Sequence, residues 1–264
     1  VSSVETGDGL SRVSPFREFA ARVRGVFLLT FWFTAIALLA PFLILLRLLT
    51  GNENMIYSPV RMFVRLGLAI VGVKVEVTGL EHLDPNQAYI FTPNHQSFIE
   101  VPLMVTYINR NPGYLAKKEV FRYPIFGYGI GLMGVVPVDR GNSPSAVESA
   151  KQATENLKHG KSYVVYPEGT RSQTGRLQPF KKGAFMMAID AGVPIVPVSI
   201  SGATAIMPKA QIKIYPETVR ITLHKPIESK SVTKDDVALL MNATRERVIS
   251  GLTPEEGPPP AVSD

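Results

Sequence analysis

Asn94-His95-Gln96-Ser97-Phe98-Ile99-Glu100 follows the strand-like run Ala88–Thr92 and opens onto the helix-like stretch Phe98–Asn109. It therefore reads as a strand–turn–helix junction with a histidine on the turn and a carboxylate five positions later. A neutral imidazole can take a proton from an alcohol, and a carboxylate can orient the ring and stabilise the imidazolium. Positions five apart on one continuous helix diverge by about 140°. A His95–Glu100 pair thus requires His95 to precede the helix. Pro93 favours this, because it disfavours helix at Thr92 and cannot donate to a helix ladder. The plainer alternative is a hydrogen-bonded structural histidine beside a helix start, with Glu100 on a solvated face.

Outward from that junction, strand-like and helix-like stretches alternate. Strands are expected at Val73–Val77, Ala88–Thr92, Tyr114–Ala116, Val135–Val138, Tyr163–Tyr166, Ile195–Ile200, Ile212–Tyr215 and Arg220–His224. Helices are expected at Phe98–Asn109, Ile125–Met133, Ser145–Lys158, Gly183–Ala191 and Lys234–Ile249. The alternation predicts an α/β domain over 73–252, with a mixed, largely parallel sheet flanked by helices. The last two strands read as an antiparallel hairpin around Pro216-Glu217-Thr218. Residues 253–264 are Pro-rich with few apolar side chains and read as a disordered tail.

The N-terminal part has a different character. Residues 1–24 form a basic segment with Arg12, Arg17, Arg22 and Arg24. Gly25–Leu46 is 22 residues without a charge. As a helix it would be about 33 Å long, enough to cross a hydrocarbon core. Ile56–Gly72 has helical apolar spacing, with Arg61 and Arg65 on one face. Gly51-Asn52-Glu53-Asn54 would join the two, so that 25–72 forms an apolar two-helix membrane-associated motif. Basic residues on both sides of the first helix leave a single crossing unoriented. A hairpin dipping into one leaflet is preferred over a spanning one.

The net charge of +6 suits anionic lipid surfaces or anionic substrates. No zinc-finger spacing, RNA-recognition signature or long basic run points to nucleic acid. The chain has no cysteine, which excludes disulfides, thiolate metal sites and a cysteine acyl-enzyme. His82, His95, His159 and His224 are scattered and form no short-spaced ligand pair, so no metal is expected. Gly129-Ile-Gly131-Leu-Met-Gly134 fits a dinucleotide spacing but has helix before strand, the reverse of what that fingerprint needs.

Three later segments join the first. They are Gly134-Val-Val-Pro-Val-Asp139-Arg140, Tyr166-Pro167-Glu168-Gly169-Thr170-Arg171-Ser172 and Val193-Pro194-Ile195-Val196-Pro197-Val198, with Phe180-Lys181-Lys182-Gly183 after the second of them. In this order and spacing, over roughly Val73–Pro226, they resemble the four motifs of the lysophosphatidic acid acyltransferase family (1-acyl-glycerol-3-phosphate acyltransferases). The resemblance implies transfer of a fatty acyl chain from acyl-CoA or acyl-carrier protein to 1-acyl-glycerol 3-phosphate, making phosphatidic acid. It implies His95 as base, Glu100 as its orienter and no acyl-enzyme. Arg140, Glu168, Gly169 and Arg171 would hold the acceptor's phosphate and glycerol. Lys117 would join them, with Lys118 an equal match. Guanidinium groups suit phosphate because they bind it with paired, charge-assisted hydrogen bonds.

Asn94, Ser97 and Thr170 would support these residues. Ser97 lacks a nucleophile elbow and reads as a cap rather than a nucleophile. No cofactor is expected beyond the acyl donor. The expected partners are lysophosphatidic acid, anionic phospholipids and the donor, at the cytoplasmic face of an inner membrane. One departure stands out: the family usually has aspartate where this chain has Glu100. A shifted helix, a longer contact or a bridging water could absorb the extra methylene; the alternatives are an acyltransferase on another acceptor, glycerol 3-phosphate or another lysophospholipid, or a non-catalytic lipid-binding homologue.

Overall fold

The computed structural model describes residues 14–139, 141, 143–209 and 211–259. Helix α1 (Pro15–Thr50) is capped by Ser14, whose hydroxyl accepts the Arg17 N–H, and closes on Gly51 in the left-handed conformation. Helix α2 (Asn54–Ile70) returns along it, and the indole of Trp32 donates to the Phe63 carbonyl at 3.2 Å. Gly67 makes this approach possible, because a Cβ there would sit 2.6 Å from the Trp32 ring nitrogen.

The sheet has seven strands: β1 (Lys74–Thr78), β2 (Ile90–Pro93), β3 (Gly113–Lys117), β4 (Val136–Val138), β5 (Tyr163–Val164), β6 (Ile195–Ser201) and β7 (Thr218–Leu223). Their order is β1-β7-β6-β2-β5-β3-β4. Every pairing is parallel except β6 with β7. Helices α3 (Glu100–Tyr107), α4 (Pro124–Leu132), α5 (Ser143–Lys158), α6 (Gly183–Ala191), α7 (Ala203–Ile206) and α8 (Val237–Ser250) complete the fold. Alternation along β2 builds both layers: Phe91 packs with α2 and α3 residues such as Leu68 and Leu103, and Ile90 with α5, α6 and α8 residues such as Leu157, Phe185 and Val248. The expected mixed, largely parallel sheet flanked by helices is the observed one.

Two expectations need correction. Ile212–Tyr215 is not a strand, and no hairpin forms around Pro216–Thr218. The Ile214 N–H donates to Ala21 O in α1 at 2.8 Å, and Gly25 packs against the Ile212 backbone, so this segment cradles the first helix. β7 instead pairs with β6 on one side and β1 on the other. The tail read as disordered also differs: Thr253–Pro259 lies against the domain, with Glu256 buried and accepting from Ser201 Oγ and Gly202 N–H. Residues 260–264 lie outside the described residues.

α1 is 36 residues long, with only Ala21, Gly25 and Leu28 buried. Its length and composition suffice to cross a membrane. Phe33, Leu38, Phe42 and Leu45 are all more than half exposed. An apolar groove of about 820 Å³, lined by Val26, Phe27, Phe31 and Leu38 among others, runs along α1 beside Phe63 of α2.

Candidate active site

The backbone carries His95 out of β2 and holds it from both sides. Asn94, fully buried, extends the β2–β6 register with its side chain: Nδ2 donates to Ile200 O at 2.9 Å and Oδ1 accepts the Ile200 N–H at 2.7 Å. The His95 N–H donates to Glu168, and its carbonyl accepts the Ser172 N–H at 2.8 Å. The imidazole stacks on Tyr166 with ring centroids 4.0 Å apart. Histidine is thereby fixed on the turn, where pairing with the helix becomes possible.

Glu100 is the first helical residue of α3, and its side chain reaches back over the turn. Oε2 lies 2.8 Å from His95 Nδ1, and the carboxylate also accepts the N–H groups of Gln96 and Ser97 at 2.8–3.1 Å. The glutamate therefore contacts the imidazole directly. Burial pushes the Glu100 carboxyl up to about 8, against the lowering pull of those two N–H donors and of Arg171. His95 retains 14% side-chain exposure while Glu100 has none, so solvent reaches the ring but not the carboxylate. A buried carboxyl group on one ring nitrogen of a partly open histidine is an arrangement suited to a general base.

The Tyr166–Ser172 loop supplies the other wall. Glu168 is buried; besides His95 N–H it accepts the Gln178 N–H at 2.9 Å and the Gln178 amide. It braces the His95 backbone rather than Arg171. Burial pushes its carboxyl up to about 7 against these donors. Gly169 has φ +76, and a Cβ there would press on the Lys181 side chain at 3.0–3.2 Å. Thr170 is exposed, and its carbonyl accepts the Gln178 amide. Arg171 lays its guanidinium over the Phe98 ring, 5.3 Å from the centroid, and its charge helps lower the Glu100 carboxyl. Lys209, absent from the sequence reading, donates to Ser172 O at 3.0 Å and reaches Arg171 O at 3.4 Å.

Lys117 is exposed at the end of β3. Lys118 is held by Asp139 in an ion pair, and that contact lowers the Asp139 carboxyl. Arg140 lies outside the described residues. Ser97 donates its hydroxyl to Met207 O at 2.9 Å and is fully buried, as befits a structural hydroxyl. Gly129, Gly131 and Gly134 occupy the end of α4 and the turn into β4, not a strand-to-helix loop. Gln178 lies outside the motif it braces, and Glu256, 160 residues from the Gln96 amide it accepts, lies in the stretch read as disordered, so the sequence reading singled out neither.

Residues 74–201 match the sequence model of the Acyltransferase family. Fold and site together define an acyltransferase. Over 249 residues the chain is 33% identical to a chloroplastic 1-acyl-sn-glycerol-3-phosphate acyltransferase of Arabidopsis thaliana, covering 90% of this chain and 67% of that one. Over 221 residues it is 31% identical to a 1-acyl-sn-glycerol-3-phosphate acyltransferase of Saccharomyces cerevisiae, covering 82% and 72%. The crystal structure of the 1-acyl-sn-glycerophosphate acyltransferase of Thermotoga maritima superposes with a TM-score of 0.76 at 26% identity, over 89% of this chain and 95% of that one. The chain belongs to the 1-acyl-sn-glycerol-3-phosphate acyltransferase family.

Proposed function

We propose that this chain transfers a fatty acyl group from acyl-CoA or acyl-carrier protein to the sn-2 hydroxyl of 1-acyl-glycerol 3-phosphate, making phosphatidic acid. The carrying observation is the 2.8 Å contact between His95 Nδ1 and a buried Glu100. With Nδ1 held by the carboxylate, Nε2 takes the proton of the acceptor hydroxyl as its oxygen attacks the thioester carbonyl. The tetrahedral intermediate collapses, the C–S bond breaks, and the imidazolium returns the proton to the departing thiolate. Glu100 stabilises the imidazolium between these steps. Arg171 binds the acceptor phosphate from its seat over Phe98, with Arg140 and Lys117 as further cationic candidates. The residues themselves carry the proton transfers, and no cofactor enters beyond the acyl donor.

The packing of α1 supports a hairpin lying in one leaflet. Near its N-terminus Arg17 pairs with Glu217 and Glu18 with Lys213; just past its C-terminus Glu53 pairs with Lys161 at 2.7 Å. A helix fastened to one domain at both ends lies along that domain and does not leave it to cross a bilayer. Its exposed apolar side chains then face the acyl region, where lysolipid and product reside. Water-soluble thioester donors place the domain on the cytoplasmic side.

The test is purified protein in detergent with oleoyl-CoA and lysophosphatidic acid, with product identified by mass. Phosphatidic acid is the expected product. Acylation of glycerol 3-phosphate or another lysophospholipid in competition, with no phosphatidic acid formed, would replace the assigned acceptor.

A further inference from the structure

The segment Thr253–Pro258 does more than end the chain. Glu256 is buried on the far side of the base-bearing turn. Its Oε2 accepts from Ser201 Oγ at 2.6 Å and Oε1 from the Gly202 N–H at 2.7 Å. These residues immediately follow Ile200, whose backbone holds the Asn94 side chain. The Glu256 carbonyl accepts the Gln96 side-chain amide and the Leu177 N–H, each at 2.9 Å. Both sequence neighbours of His95 are thus fixed through structure that Glu256 ties together.

A third route converges on the same point. Arg176 Nη1 reaches the carbonyls of Pro254 and Pro258 at 3.3 and 3.4 Å. With Leu177 it fixes the loop whose next residue, Gln178, donates to Glu168, the acceptor of the His95 N–H. The amide oxygen of Gln96 is buried with no hydrogen-bond partner. The one side-chain hydrogen bond of the buried Gln96 among the described residues therefore runs to the Glu256 carbonyl.

We propose that Glu256 and the strap around it are a positioning element of the active site, holding the 94–97 turn so that His95 meets Glu100 and substrate in reacting geometry. The strap acts on the turn through Asn94, Gln96 and Glu168, and the Glu256 charge also helps raise the Glu100 carboxyl, which is why Gln96→Met, leaving that charge in place, accompanies Glu256→Gln in the test. A displacement of about 1 Å at a reacting group can cost on the order of 100-fold in rate. This inference rests on His95 being the base, as proposed above.

The experiment compares the parent chain with Glu256→Gln, Gln96→Met and, as a control away from the strap, Glu148→Gln on the exposed side of α5, in detergent. His95→Ala serves as the control for the base. The readouts are steady-state kinetics with oleoyl-CoA and lysophosphatidic acid, and the low-field proton resonance of the His95 Nδ1–H bonded to Glu100. Only four histidines need assigning. Glu256→Gln is expected to lose about tenfold or more in kcat, with both KM values nearly unchanged and the low-field resonance displaced or lost. Glu148→Gln is expected to match the parent. Gln96→Met cuts the link without disturbing the buried carboxylate. It carries the test if Glu256→Gln fails to fold, and the same kinetic signature is expected. Folded variants with the parent's kcat and the parent's resonance would overturn the strap. Activity of the parent that survives His95→Ala would instead overturn the base assignment, and the resonance reports on the strap without any turnover.

Discussion

Glu100 Oε2 lies 2.8 Å from His95 Nδ1, although the two residues would diverge on one continuous helix. The contact exists because α3 begins at Glu100 itself and its side chain turns back over residues 96 and 97, whose N–H groups it accepts. The longer side chain at this position is absorbed by direct contact, with the carboxylate spanning ring and backbone at once.

The seating of Ser97 makes a prediction against a serine nucleophile. Ser97→Ala removes the donor to Met207 O and is expected to cost about 1–3 kcal/mol of stability while leaving turnover near the parent's. Rapid-quench mass spectrometry is expected to find no acyl-serine. An acylated Ser97 accumulating before steady state would refute this.

Arg171 is expected to discriminate by acceptor charge. Charge-assisted bonds to phosphate contribute about 1.5–3 kcal/mol, roughly 10–100-fold. Arg171→Ala should therefore raise KM for lysophosphatidic acid by about that factor and leave an unphosphorylated monoacylglycerol nearly unaffected. An equal rise for both acceptors removes the phosphate role.

Glu168 imposes a pH dependence on stability. Its folded-state carboxyl is pushed up to about 7, above the ordinary 4.5. Between those values the native state keeps a proton that the unfolded chain has released, so stability is greatest below about 4.5 and falls as pH rises through 7. Glu168→Gln lacks this group. The parent's stability relative to the variant should decline by about 3 kcal/mol from pH 4.5 to pH 7.5, measured by denaturant melts. Glu100 is present in both proteins, so its own pH dependence largely cancels. A flat or rising difference contradicts the reading.

Membrane contact through α1 predicts that charge on its outer side releases the protein without unfolding it. Phe33 and Leu38 are 68% and 73% exposed. The double variant Phe33→Glu/Leu38→Glu should keep the parent's circular dichroism and lose most of its binding to vesicles containing anionic lipid. Undiminished vesicle binding would place the contact elsewhere.

How much was legible from sequence follows from the range of each interaction. The strand–turn–helix junction and the His95–Glu100 pair were readable because Pro93 and a five-residue spacing are local. The sheet was readable from alternation of apolar runs. Asn94 was readable only as a supporting residue; its partner Ile200 lies 106 residues away and no periodicity points to it. Ile212–Tyr215 has the composition of a strand, yet its backbone serves α1, since what edge a segment meets is decided by packing rather than propensity. The Pro-rich tail has the composition of disorder, but one carboxylate finding three donors, from Ser201, Gly202 and Thr253, is enough to seat it. Glu168 stood out by motif as an acceptor-binding candidate; its bracing of the His95 backbone required the fold.

The central claim is that Glu100, in the longer form this chain carries, orients His95 for catalysis. The most direct measurement is thioester release from oleoyl-CoA with lysophosphatidic acid for the parent, His95→Ala and Glu100→Asp. The parent should be the fastest. His95→Ala should fall by about 10²–10⁴-fold. Glu100→Asp should be slowed, because its carboxylate retreats from Nδ1 by about one C–C bond length. A Glu100→Asp protein faster than the parent, or a His95→Ala protein at the parent's rate, would contradict the account.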